Sequence, residues 1–279
     1  MRKNFAQILQ ENKIDIKKEY QKLYEVFYET EIIDIYETTT IYNILSQSFL
    51  SFPFRGMCLT IEEFNQKFGF KFTKNPNPFD VDVLINFLEY FYNMLICYDM
   101  YDSNQFNSHF FINHINELIE AIGYAQTNIN GLVVFSEKSP EAIAVAENCD
   151  ISSELGYKII SYNHYSMKGN LESKKETILK LAEILEGKRN NLKKANSRLE
   201  DDLFYIFNNF NLRHNNCDSS LKNKYKEVIA KMPKKELESW YDETYRMCLL
   251  SFLEIEHIER QARFNQIKDK IEHNNQEGS

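Results

Sequence analysis

Two long runs of apolar residues at helical spacing dominate the C-terminal half of this chain. From Leu171 onward, apolar residues fall at 178, 181, 182, 185, 192, 195, 199, 203, 206, 207 and 210. From Leu237 to Ile271, Trp240, Tyr241, Tyr245, Cys248, Leu249, Phe252, Ile255 and Ile258 recur on one side. A period near 3.6 sustained over such lengths describes helices that bury one face. The first run predicts a single helix of about 40 residues, ~60 Å long, kinked at Gly187. Two such helices, joined by a polar segment at 207–216 and a helix expected at 220–231, pack antiparallel.

The N-terminal half reads as shorter helices. Leu9, Ile14, Ile16, Tyr20, Leu23, Tyr24 and Phe27 follow the helical period, and residues 32–45 continue it. Pro53 and Gly56 interrupt it. Thr60 with Glu63 three residues on predicts a capped helix start. Residues 80–98 are apolar nearly all round, which describes a buried helix, and a second helix over 104–122 stops at Gly123. The only clear β signal is 124–127 with 132–135 around Asn128-Ile129-Asn130-Gly131, a turn that needs positive φ. Ser139-Pro140-Glu141 opens a further helix. The expected fold is mainly α: a helical bundle with two long C-terminal helices and one small β-hairpin. Its expected parts are an N-terminal helical region (1–123), the hairpin (124–136), a long-helix domain (137–272) and a disordered tail (273–279).

Charge separates the halves. Residues 1–187 carry 16 Lys and Arg against 26 Asp and Glu, whereas 188–279 carry 17 against 15. The acidic part argues against wrapping nucleic acid along the whole length, and the C-terminal part tolerates a polyanion. The five cysteines form no C-x-x-C pair, which fits a reducing cytoplasm. No apolar leader and no run of about 18 apolar residues is present, so the expectation is a cytoplasmic protein off the membrane. With 8 glycines in 279 residues and no glycine-rich phosphate loop, no cofactor is expected.

Between the long runs lies a polar knot, Phe207-Asn208-Asn209-Phe210-Asn211-Leu212-Arg213-His214-Asn215-Asn216. Asparagine competes for backbone hydrogen bonds and is poor helix material. Arg213 offers a planar fork suited to phosphate, and His214 shifts a proton near neutral pH. Asn208, Asn209, Asn211, Asn215 and Asn216 supply amides around them. The knot therefore reads either as a phosphodiester site or as a helix junction whose side chains cap exposed carbonyls.

The long helical pair with an arginine and polar neighbours at its junction resembles the HEPN class of helical proteins of abortive-infection and toxin–antitoxin systems. The resemblance covers roughly residues 171–265. The family pattern has Arg, a polar residue, then His four to six positions after the Arg. Here those positions are Cys217, Asp218 and Ser219, and His214 is the substitute. The resemblance implies a bacterial stress or phage-defence protein that binds or cleaves RNA, metal-independently if catalytic, and that self-associates. Arg213 and His214 are then the catalytic candidates. The alternative is a non-enzymatic helical protein–protein interaction module, acting as scaffold or regulator through a protein partner.

Other groups admit plainer roles. Arg189 and Lys193, in the cationic stretch 188–198, are RNA-contact candidates or an ordinary solvated face. Asp242 and Glu243 are candidates to support Arg213 or His214 if the last helix packs over the knot. Glu254 and His257 share a helix face, but the partners a di-iron site needs are absent from the sequence, so no metal is expected. His109 and His114, five apart, point in different directions.

Overall fold

The computed structural model describes residues 14–33, 38–101, 106–129, 131–149 and 151–277. The helical start expected near Leu9, the turn residue Asn130 and the last two residues lie outside that set. The chain is mainly α and divides into two compact units, Met1–Lys138 and Ser139–Ser279. Among the described residues no helix is long and apolar enough to cross a membrane.

The first unit holds helices α1 (Ile16–Tyr28), α2 (Ile41–Ser48), α3 (Ile61–Phe68), α4 (Val81–Tyr101) and α5 (Ser108–Ala121). The caps follow the sequence. The Thr60 hydroxyl accepts from the Glu63 amide at 3.1 Å, and Glu63 reaches back to the Leu59 amide at 2.8 Å. Helix α5 starts at Ser108, capped by the Asn107 side chain, whereas the start expected at residue 104 lies outside the described residues. α4 is the buried axis: Leu84, Ile85, Phe87, Leu88, Phe91 and Leu95 are fully enclosed. Phe27 of α1 packs on Phe91 with centroids 4.5 Å apart, inside a wider aromatic cluster.

The helical reading of 32–45 is corrected at its start. Glu31–Ile33 (β1) pairs antiparallel with Thr38–Thr40 (β2), and only then does α2 begin. The three consecutive threonines favour the extended backbone, and Thr40 caps the helix. The expected hairpin is present as β3 (Tyr124–Ile129) and β4 (Leu132–Glu137), with Tyr124 opposite Glu137 and Ile129 opposite Leu132. Gly123 and Gly131 adopt positive φ at its ends. A lone hairpin is marginal. Here α4 completes it: Asn93 exchanges two hydrogen bonds with the Val133 backbone, at 2.7 and 2.8 Å, and Glu89 accepts from the Phe135 amide at 2.6 Å.

The second unit is all helical: α6 (Pro140–Asn148), α7 (Ser153–Ile160), α8 (Leu171–Gly187), α9 (Arg189–Ala195), α10 (Ser197–Asn209), α11 (Glu227–Ala230) and α12 (Lys234–Glu277). The expected 40-residue helix is three helices. It breaks at Lys188, and again at Asn196, whose side chain caps α10 by accepting from the Leu199 amide at 3.1 Å. Asparagine satisfies a helix start better than a helix interior, so the apolar period runs on while the backbone restarts. α12 has 44 residues and continues through Glu277, past the tail expected from His273. Its first half is the spine on which α6, α8, α9 and α10 pack, with Tyr241, Tyr245, Cys248, Leu249, Phe252 and Ile255 in the core. The Tyr162 and Tyr245 rings stack at 3.8 Å, and the Tyr245 hydroxyl donates to the Ile159 carbonyl at 2.7 Å.

Candidate nucleic-acid interface

The polar knot is a built loop that closes α10. Phe210 ends the helix, and Asn211 follows with φ of 57°, a left-handed conformation that asparagine tolerates. The Arg213 amide returns to the Phe207 carbonyl at 3.0 Å. Asn216 is fully buried and organises everything after it. Its side-chain oxygen accepts from the Asn211 amide at 2.8 Å, and its Nδ2 donates to the carbonyls of Asn208 (3.2 Å) and Lys224 (2.7 Å). The Lys226 amide donates to the Asn216 carbonyl at 2.8 Å. One asparagine thus fixes both ends of the segment 208–226.

Arg213 serves the frame. Its Nη2 donates to the Ala182 carbonyl at 3.1 Å and pairs with Glu186 at 2.9 Å, both on α8. Its guanidinium lies 5.4 Å from the Phe204 ring centroid and 5.1 Å from that of Phe207. Glu186 is an acid in the last turn of α8, where the helix dipole disfavours negative charge, and Arg213 offsets it. Arg189 is held similarly. It pairs with the buried carboxylate of Glu200 and stacks over the other partner of that packing, Phe204, at 4.2 Å. The second Glu200 oxygen and the Asn211 side-chain oxygen are buried with no hydrogen-bond partner among the described residues.

His214 separates from Arg213. Its Nδ1 accepts from the Lys224 ammonium at 3.2 Å on the outer side of the loop. Asn208 and Asn215 are exposed there, and Asn209 donates to the Tyr205 carbonyl at 2.8 Å. Lys193 is exposed on α9. Two expectations are corrected. Asn216 is no surface contact, because burial and four hydrogen bonds consume it. Asp242 and Glu243 do not support the knot: Asp242 accepts from Lys174 at 2.8 Å, and Glu243 pairs with Arg246 at 3.6 Å. Lys174 is buried and also meets Glu238 at 2.7 Å. Burial pushes the Glu238 carboxyl up, but Lys174 and the Gly169 amide outweigh it and hold the group below its ordinary range.

The cationic part of the site escaped the sequence reading. Residues 222–235 hold six lysines against one acid, Glu227. Lys231 pairs with Glu227 at 2.5 Å. Lys222, Lys224, Lys226, Lys234 and Lys235 are exposed, and among the described residues none of them is in an ion pair. Trp240, 38% exposed, packs on Phe210 with centroids 5.2 Å apart, so an aromatic face adjoins the knot. The lysine spacing K-x-K-x-K followed by K-K was the available signal. It is not a helical stripe: Lys222, Lys224 and Lys226 stand in the loop that Asn216 holds, and Lys234 and Lys235 open α12.

Neither protein-family models, curated proteins nor solved structures gave a match to this chain.

Proposed function

We propose that this chain is a HEPN-like RNA-binding protein of a bacterial stress or phage-defence system. The observation that carries the reading is the set of five exposed lysines, without acidic partners among the described residues, on and beside a loop fixed by Asn216. A preformed cationic lobe meets a phosphate backbone without first ordering itself, and neutralising phosphates releases counterions. Trp240 offers a stacking face for an unpaired base, the usual mode of single-stranded RNA recognition. His214 and Lys224 are the phosphate-facing pair. Arg213 has its guanidinium engaged by α8, so it positions the loop, and the reading is binding in preference to cleavage. The stress or defence setting and self-association rest on the family resemblance alone.

The test is fluorescence anisotropy of a labelled single-stranded RNA with the full chain. Lys222→Glu/Lys224→Glu/Lys226→Glu is expected to weaken binding at least about tenfold at unchanged melting temperature, a loss of ~1.4 kcal/mol. The RNA is expected to remain intact. Absence of binding at low salt, or a variant that binds as wild type does, overturns the reading.

A second reading, the helical protein-interaction module, is favoured by a different observation, the exposed apolar stripe of distal α12.

A further inference from the structure

α12 outruns the unit it supports. Among its described side chains the buried positions end at Ile255, and each one from Glu259 to Ile271 is exposed. Phe264, Ile267 and Ile271 are 57%, 54% and 56% exposed. Their spacing of three and four places them on one seam, the a and d positions of a heptad. The same seam extended backward meets Leu253 and Leu250. Those two residues, with Leu249, Tyr245, Arg246 and one acid, Glu141, line an open groove of about 390 Å³, so it is the apolar end of a partner that seats there. Groove and stripe lie along one face of one helix.

The seam's borders select its occupant. At about 100° per residue, Arg263 and Lys270 border one side and Lys268 the other. Asp269 lies opposite the seam and Glu259 about 20° beyond Lys270, while Glu256 borders the seam nearer the groove, where Arg260 neutralises it. Arg260 lies on the seam itself and pairs with Glu256 at 2.5 Å. Lys268 also covers the Phe264 ring, 4.8 Å from its centroid. A second copy of this helix is a poor match. Laid parallel it sets Arg263 against Lys268, and laid antiparallel it sets Arg263 against Lys270; like charges at these positions repel. An anionic membrane surface is a poor match too. Residues 257–277 carry four basic and four acidic residues, without the cationic excess such helices use.

We propose that distal α12 and the adjoining groove dock an amphipathic helix of a partner protein, with apolar residues on its seam and acidic residues bordering it. The partner's seam covers Phe264, Ile267 and Ile271, its acids face Arg263, Lys268 and Lys270, and its end seats against Leu249, Leu250 and Leu253. This surface is independent of the lysine lobe.

The experiment uses the full chain and a labelled synthetic helix of about three heptads, Leu at a and d and Glu at e and g. A control peptide carries Lys at e and g. The Glu peptide is expected to bind at least about tenfold more tightly than the Lys peptide. Ile267→Ser/Ile271→Ser is expected to remove that binding at unchanged melting temperature, because both side chains are exposed. Arg263→Glu/Lys268→Glu/Lys270→Glu is expected to invert the preference, whereas the triple lysine-lobe variant leaves it alone. Affinity for RNA is followed in the same proteins and is expected to stay constant. Four results overturn the proposal: no binding of the Glu peptide, binding insensitive to the seam variant, a dimer in sedimentation that the seam variant dissolves, or adsorption to anionic phospholipid vesicles without peptide binding.

Discussion

The Asn216 side chain donates to the Lys224 carbonyl across 2.7 Å, and its oxygen receives the Asn211 amide at 2.8 Å. A buried amide thereby sets where the lysines of the loop stand. Asn216→Ala strips partners from Asn211, Asn208 and Lys224 together. Each buried group left unpaired costs ~1–3 kcal/mol. A lower midpoint in urea unfolding is expected, with weaker RNA binding as the lobe loosens. Asn216→Asp separates the roles, since it keeps the acceptor and loses both donor bonds.

Arg213 and Glu186 make the complementary case. Arg213→Ala leaves the Ala182 contact and two ring faces without their guanidinium, at a cost of ~1–3 kcal/mol in unfolding free energy. Arg213→Lys recovers little, because an ammonium cannot stack on Phe204 and Phe207 while reaching α8 as a plane does. RNA affinity at a temperature where the variant is folded is expected to fall only as far as the loop loosens, by less than in the triple lysine variant. A large affinity loss without destabilisation would return Arg213 to the binding surface.

Lysine contacts also predict a salt dependence. If about five lysines each neutralise one phosphate of a single strand, log Kobs falls with log salt at a slope of roughly −3.5. Each Lys→Ala substitution among 222, 224 and 226 is expected to reduce that slope by about 0.7 and to act alike on different RNA sequences. A slope near zero would point to apolar recognition.

The Lys174–Glu238 pair gives a pH signature. The Glu238 carboxyl sits below its ordinary value of 4.5 in the folded chain. Its contribution to stability is therefore complete above that pH and is lost as pH falls through the lower folded value. Melting temperature is expected to drop more steeply in wild type than in Glu238→Gln below pH 4.5, and the two curves converge in acid. Parallel curves would exclude Glu238 as a source of acid sensitivity.

Cysteine labelling separates surface from core. Cys217 is exposed in the loop, while Cys248 is buried on α12 and burial pushes its thiol well above the ordinary range. Iodoacetamide is expected to modify Cys217 first in the native protein and Cys248 only on unfolding, read by peptide mass spectrometry. Early labelling at Cys248 would show that the second unit opens.

What the sequence could disclose depended on how local each cause is. Thr60, Ser139 and Asn170 act within three residues of themselves, and their caps are legible in the chain alone, whereas the cap at Asn107 was missed because the helix was expected from residue 104. Apolar periodicity likewise marks which face of α12 is buried. It is blind to the restart at Asn196, because a capped break keeps almost the same phase as a continuous helix. The pairing of Thr38–Thr40 with Glu31–Ile33 depends on cross-strand contact, which a one-dimensional period misses. At the site the residue types were visible and their partners were not. Arg213 looks the same in sequence whether it meets a phosphate or, as here, a carbonyl and a carboxylate on α8 contributed some thirty residues earlier. The lysines of 222–235 have no helical period to reveal them.

Phe204 draws these threads to one ring. Arg189 from α9 lies 4.2 Å from its centroid and Arg213 from the knot 5.4 Å. Like a rivet through overlapping plates, it fastens three stretches of chain that no continuous element joins. Drift in any one of them is felt by the other two, so the register of the basic lobe is inherited from a phenylalanine that no ligand would ever touch.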